Sequence, residues 1–251
     1  MLAEALRAWQ RPVGARPFVL GHRGARHAAP ENTLAAFELA QREGADGSEL
    51  DVRLDASGEV IVLHDPILTR VTRGADNRHA EQISSRELAT LDVGSGERVP
   101  RLVDVLDWAH GRGQRLNVEL KSDVKNRKLL LRQVARVVAR SPLPDLIFSS
   151  FHPYFVWWLA RHVPSLPRAW LVQQKQHVLK YAPGFQLLGA NAVHPEHTLV
   201  TPTRFANVKR SGARLIVWTV NEPQRARELA TLGVDAIISD VPGKILSELT
   251  K

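Results

Sequence analysis

Apolar residues along the chain fall into short runs that switch between two periods. Phe18 to Leu20 is a short apolar strand, Gly47 to Leu54 alternates with period two, and Val60 to Leu63 is a compact apolar run. Between the first two, Asn32 to Glu43 sets Leu34, Phe37, Leu39 and Ala40 on one side of a helix. The rhythm continues with a helix at Leu102–Ala109, a strand at Leu116–Leu120, a basic helix at Lys125–Arg140 and a strand at Leu146–Ser149. A helix at Tyr154–Arg161 and strands at Ala169–Val172 and Ala192–His194 follow. A helix at Thr203–Ser211, a strand at Leu215–Val220, a helix at Pro223–Leu232 and a strand at Ala236–Ser239 complete the series. Repeated strand–helix units imply parallel strands joined by crossovers. About eight units in 251 residues predict an α/β fold, a (β/α)8 TIM barrel with a short β-hairpin and loop insertion after the second strand. No Gly-rich fingerprint follows the first strand, which argues against a doubly wound dinucleotide-binding sheet. The chain reads as one barrel domain over residues 1–251. Residues 1–17 form an N-terminal extension, either a short helix on the barrel floor or a frayed tail.

Composition narrows the chemistry. With 44% hydrophobic and 24% charged residues the chain is globular rather than disordered. It has no Cys, which excludes disulfide frameworks, thiolate zinc sites and a Cys nucleophile. The formal net charge is +8, mostly from Arg spread along the chain. Such a charge suits a solvated surface or a partner bearing phosphate. The N-terminal residues lack a secretory pattern, since Glu4, Arg7, Gln10 and Arg11 interrupt it. No stretch reaches the ~18 apolar residues of a membrane span. The expectation is a cytoplasmic protein with no stable membrane insertion and no nucleic-acid partner. Its oligomeric state stays open.

In such barrels chemistry sits at the C-terminal ends of the strands, and here those ends are densely polar. The first strand runs into His22-Arg23-Gly24, and the second carries Glu49 and Asp51. The strand at Leu116 carries Glu119 and then Lys121, and the strand at Leu215 leads into Trp218. Glu49 and Asp51 are two apart, so they share one face. With Glu119 they could form a pocket of three carboxylates. Hard oxygen ligands without sulfur suit Mg²⁺, Ca²⁺ or Mn²⁺. The alternative is a structural ion network in which Asp51 or Glu49 pairs with Arg53 or Lys121. A hairpin with Ser57 and Gly58 as loop residues would set Leu54 opposite Ile61 and Asp51 opposite His64, returning His64 to the pocket edge. The alternative for His64 is a turn residue beside Asp65-Pro66. Two imidazoles near one site can act as general base and general acid. Arg23 can hold a phosphate oxygen. Pro30-Glu31-Asn32-Thr33 taken alone is an ordinary helix entry, with Asn32 or Thr33 as cap.

As an ordered set these pieces resemble the glycerophosphodiester phosphodiesterase family. The matching segments are His22-Arg23-Gly24, Pro30 to Leu34, Gly44-Ala45-Asp46, Glu49 to Val52, His64-Asp65, Glu119-Leu120-Lys121, Ser149-Ser150-Phe151, Val217 to Asn221, Gly233-Val234-Asp235 and Ser239-Asp240. They span Phe18 to Leu246. The resemblance implies a phosphoric diester hydrolase that converts glycerophosphodiesters, such as glycerophosphocholine or glycerophosphoethanolamine, to sn-glycerol 3-phosphate and an alcohol. It implies His22 and His64 as acid and base, and Glu49, Asp51 and Glu119 as ligands of one divalent cation, Mg²⁺ or Ca²⁺ with Mn²⁺ possible. It further implies Arg23 and Lys121 facing phosphate and Trp218 beside a small-molecule glycerophosphodiester substrate. Competing readings are a lysophospholipase D and, in a different class, a basic nucleic-acid-binding protein.

The sequence departs from the family at Ser48, where a large aliphatic residue is usual, and in an Arg-rich stretch between Asp65 and Val99. His194 and His197 read as turn residues, with pocket lining as the alternative. Phe151, Tyr154, Phe155, Trp157 and Trp158 read as helix-to-barrel packing, with an acyl-chain wall as the alternative. The basic helix reads as a solvated outer face.

Overall fold

Period-two segments become strands, and their in-line pairing closes a ring. The structure, a computed structural model, describes residues 2–141, 145–175 and 184–251. The strands are β1 (Phe18–His22), β2 (Gly47–Leu54), β3 (Val60–Val62), β4 (Arg115–Leu120), β5 (Leu146–Ser150), β6 (Arg168–Val172), β7 (Ala192–Pro195), β8 (Arg214–Val217) and β9 (Ala236–Ser239). They neighbour one another in the order β1-β9-β8-β7-β6-β5-β4-β2, and a parallel β1–β2 pairing closes the eight-stranded barrel. β3 lies antiparallel on β2. The helices are α1 (Leu2–Ala8), α2 (Leu34–Arg42), α3 (Ser85–Leu88), α4 (Leu102–His110), α5 (Arg127–Val138), α6 (Pro153–His162), α7 (Pro202–Arg210), α8 (Pro223–Leu232) and α9 (Pro242–Leu249). Among the described residues, the β6–β7 connection carries a 3-10 turn, Phe185–Leu188.

Apolar side chains pack in two shells. Outside the strands, Leu50, Val52, Val118 and Phe148 meet Leu106, Leu130, Val134 and Phe155 of the helices. Inside the ring, Leu20, Ile147, Ala169, Ala192, Ile216, Ala236 and Ile238 pack with Trp9, which is fully buried. The N-terminal extension is therefore a floor rather than a frayed tail. Arg115 and Arg214, at the starts of β4 and β8, fasten it by donating to the carbonyls of Ala8 (3.2 Å) and Leu6 (3.1 Å).

The hairpin register differs by one residue from the sequence expectation. Leu54 pairs with Val60, not Ile61, so Asp51 lies opposite Leu63, whose N–H donates to the Asp51 carbonyl at 2.9 Å. The cause is Asp55. Its buried carboxylate accepts from the N–H of Ser57 (2.8 Å) and of Glu59 (2.7 Å), which enlarges the turn by a residue. Regular pairing of β8 ends at Val217 rather than Val220, although Trp218 N–H still donates to the Pro195 carbonyl at 3.2 Å and Val220 N–H to the Ile238 carbonyl at 2.9 Å. The Trp218 indole Nε1–H donates to the His194 carbonyl at 2.7 Å. Helix α2 begins at Leu34, with the Thr33 hydroxyl accepting from Ala36 N–H at 3.3 Å. Asn32 is left-handed (φ 58°) and takes no part in the cap. The insertion after β3 has a small core of its own, with Leu68, Ile83, Leu88 and Val93 packed on Ile61.

Candidate active site

The β2–β4 register brings the acids together. Asp51 pairs with Glu119 across the two strands, and Glu49 sits one pleat below. The carboxylate oxygens of Glu49, Asp51 and Glu119 lie within 4.8 Å of one another. All three are buried. Burial, followed by the Asp51 charge, pushes Glu49 well above the usual carboxylate range. Burial likewise pushes Glu119 up to about 7, against the pull of Lys121. Burial opposes ionisation of Asp51 too, but Lys121 and Arg23 outweigh it and hold Asp51 well below the usual range.

Two cations stand beside the acids. Lys121 Nζ is 2.9 Å from Glu119 Oε1 and 3.4 Å from Asp51 Oδ1. Arg23 Nε is 3.2 Å from Asp51, and its Nη1 is 3.0 Å from Glu31. The ion-network alternative thus holds for Asp51 and Lys121, alongside the carboxylate cluster. It does not hold for Arg53, which grips both oxygens of Asp123 at 2.7 Å. Arg23 is left-handed (φ 55°), a turn that aims its N–H at Glu49 Oε2, 3.0 Å away. Gly24 follows with φ 81°, and a Cβ there would lie 2.5 Å from the Ala36 backbone, so only glycine lets this turn rest on α2.

His22 and His64 flank the cluster, each backed by a carboxylate. His22 Nδ1 lies 2.6 Å from Asp240 Oδ1, and His64 Nδ1 lies 2.6 Å from Asp65 Oδ1. Burial works against ionisation of Asp240, yet the His22 hydrogen bond keeps it at about 2. An ionised Asp240 accepts, so His22 carries its proton on Nδ1 and presents the Nε2 lone pair, 4.0 Å from Glu49 Oε2. Burial lowers the pKa of both imidazoles, more than their carboxylates raise it. His64 reaches the site although the predicted register is wrong. It lies past the end of β3, and buried Arg53 holds its carbonyl at 2.7 Å.

A cavity of about 370 Å³ joins His22, Arg23, Glu49, His64, Glu119, Lys121 and Trp218, the last edge-on to Phe151 at 5.6 Å between ring centres. Seven of the eight predicted site residues line it. Asp51, the eighth, lies buried beside it. Of the predicted aromatic cluster, Phe151 lines the cavity, while Phe155 is core and Tyr154 and Trp158 pack against the outer shell. His194 neither forms a turn nor lines the cavity. It is wholly buried on β7, with no hydrogen-bond partner for either ring nitrogen among the described residues.

Three contributors escaped the sequence reading. Asn32 donates to Asp51 Oδ2 (3.0 Å) and accepts from Asp51 N–H (3.3 Å). Asp240 carries no separate signal beyond the Ser239-Asp240 pair, yet it braces His22, while Asn221 Nδ2 (2.8 Å) and Arg26 Nε (2.8 Å) brace Asp240. Asn117 pairs with Glu49 across the sheet, is 1% exposed and lines the cavity, and neither end of its amide has a partner among the described residues. Its alternation with Glu119 on β4 was the available signal.

The carboxylate set fits a hard divalent cation. Three buried carboxylates face two cations, Arg23 and Lys121, and the donors gathered within 4.8 Å are all oxygen. The unpaired amide of Asn117 leaves further polar capacity at the same place.

The chain is also similar to known proteins along nearly its whole length. The chain is 29% identical over 244 residues to the glycerophosphodiester phosphodiesterase of Caldanaerobacter subterraneus subsp. tengcongensis, covering 94% of this chain and 99% of that one. It superposes with a TM-score of 0.85 and 28% identity on an Oleispira antarctica phosphodiesterase in complex with the product sn-glycerol-3-phosphate, over 94% of this chain and 98% of that chain. A glycerophosphodiester phosphodiesterase from Agrobacterium tumefaciens gives 0.78 at 28% identity, over 92% and 99%. The model of the glycerophosphoryl diester phosphodiesterase family matches residues 22–244, and the chain belongs to that family.

Proposed function

We propose that the protein hydrolyses small glycerophosphodiesters, such as glycerophosphocholine or glycerophosphoethanolamine, to sn-glycerol 3-phosphate and an alcohol, with His22 and His64 as acid and base. The observation that carries the reading is the pair of imidazoles, each tied to a carboxylate through Nδ1 at 2.6 Å, on the walls of one cavity beside three gathered acids. One Nε2 takes the proton from the attacking oxygen and the other gives a proton to the leaving alcohol, each worth about 10²–10⁴-fold. Glu49, Asp51 and Glu119 would hold a divalent cation, Mg²⁺ or Ca²⁺, which when bound polarises a phosphoryl oxygen. Arg23 and Lys121 would turn from those acids toward the phosphate. Trp218, held by the His194 carbonyl and by Phe151, walls the glycerol side. Among the described residues the apolar lining is limited to Phe151, Leu171, Trp218 and Ile238, which favours a compact diester over a lysophospholipid chain. Among the described residues no helix is long and apolar enough to cross a membrane.

Phosphorus NMR of the protein with glycerophosphocholine and Mg²⁺, then with EDTA, reads reaction, product and metal need together. The expected result is a sn-glycerol 3-phosphate resonance that stops growing with EDTA. His22→Ala and His64→Ala should each slow turnover at least about a hundredfold. Turnover close to wild type in either variant removes that residue from the chemistry.

A further inference from the structure

Arginines are spread along the chain as the sequence reading has it, but the acids that offset them are not. Residues 124–195 hold ten Lys and Arg against one acid, Asp145, whereas the whole chain carries +8, so the remainder is close to neutral. Six of these cations, Lys125, Arg127, Lys128, Arg132, Arg136 and Arg140, are exposed on or beside α5, and none forms an ion pair among the described residues. Elsewhere exposed arginines are mixed: Arg70 is matched by Glu31, Arg78 by Asp76 and Arg101 by Asp104, while Arg73, Arg86 and Arg98 stand singly without an ion pair among the described residues.

The spacing makes this arrangement costly. Lys128, Arg132, Arg136 and Arg140 follow one another at i, i+4, so they stack as one stripe of like charge. Arg127 and Lys128 sit in the first turn, where the helix dipole disfavours cations. Two structural facts give the stripe a direction. The helix start reaches the cavity rim: Arg127 donates to the Ser122 carbonyl at 2.7 Å, one residue past Lys121, and approaches His152 Nε2 at 3.4 Å. The adjoining α6 has no acid and presents half-buried rings. Tyr154 stacks on Trp157 (5.8 Å), Arg161 covers Trp157 (4.1 Å), and Trp158 stacks on His162 (3.9 Å).

We propose that the α5–α6 flank is a docking surface for an anionic lipid bilayer, on which the protein rests peripherally with its cavity rim at the edge of the contact. Phosphate headgroups neutralise the stripe and remove its self-repulsion. Indole and phenol rings, apolar with one polar atom, suit the headgroup layer. A nucleic acid fits less well, because its bases need open ring faces and these faces are already stacked on one another or under Arg161. The proposal does not depend on the catalytic reading.

The test is vesicle flotation with the full chain, using phosphatidylcholine vesicles with and without about one-third phosphatidylglycerol. Each cation at an anionic surface is worth about a fivefold change in partition. The triple variant Lys128→Gln, Arg132→Gln, Arg136→Gln should therefore lose about a hundredfold of its partition onto the anionic vesicles. Its unfolding midpoint should hold or rise, since glutamine is a good helix former and the repulsion is gone. Wild-type binding should weaken as salt rises. Equal binding to the two vesicle types, including none to either, overturns the proposal. So does an unchanged partition of the triple variant, or displacement of the protein from vesicles by duplex DNA at equal phosphate concentration.

Discussion

His194 offers a test of the barrel interior that does not involve the catalytic groups. Its imidazole is fully buried, and burial pushes its pKa down to about 3 from 6.5. As pH falls below 6.5 the unfolded chain takes up a proton there and the folded chain does not, so acid favours unfolding. The loss continues until the folded value near 3 is reached. Each pH unit in that window is worth about 1.4 kcal/mol. His194 alone therefore withdraws about 2 kcal/mol by about pH 5 and about 3 kcal/mol by about pH 4. His194→Leu keeps the carbonyl that anchors Trp218 and deletes two unpaired polar atoms. Urea unfolding of both proteins across this range, extrapolated linearly to water, isolates the effect, because every other titrating group cancels in the difference. The variant should be at least as stable as wild type near neutrality, and its advantage should widen by about 3 kcal/mol at about pH 4. A gap that stays constant with pH would refute the reasoning, for it would mean that the imidazole is solvated or protonated inside the fold.

Mg²⁺ or Ca²⁺ at about a hundred times its Kd should stabilise the wild type by about 3 kcal/mol, and Glu49→Gln should lose most of that gain in calorimetry or thermal unfolding. Unchanged affinity in the variant would contradict the ligand set. Asp240→Asn should lower kcat at least about tenfold with a smaller change in KM, since it removes the charge that orients His22 without emptying the position. Equal loss in a variant with scrambled near-ultraviolet circular dichroism would show unfolding instead. Ser48→Ala should raise stability by about 1 kcal/mol in urea, because Ser48 is wholly buried and its hydroxyl has no partner among the described residues. A loss of stability there would reveal a hydrogen bond that geometry does not.

Local chemistry left a clear imprint on the sequence. Period-two runs and amphipathic helices of about the right length read out the strand–helix alternation, because side-chain facing depends only on backbone period. The pairing of Glu49 with Asp51, the terminal position of His22 and the polar end of β4 were legible for the same reason. Pairing across the chain was not. The hairpin register turned on where the Asp55 carboxylate found donors, and the sequence offers Ser57, Gly58 and Glu59 without ranking them. His64 is held where it is by Arg53, two residues beyond Asp51 on β2. Asn32 looks like a helix cap until the fold lays it on Asp51, and Asp240 meets His22 only because β9 closes the ring against β1. Trp9 gives no sign in its own segment that it will fill the barrel floor. Facing is a property of a few consecutive residues, so sequence suffices for it. Which buried polar group satisfies which other is a property of closure, where segments more than two hundred positions apart meet in a medium that leaves unpaired groups costly.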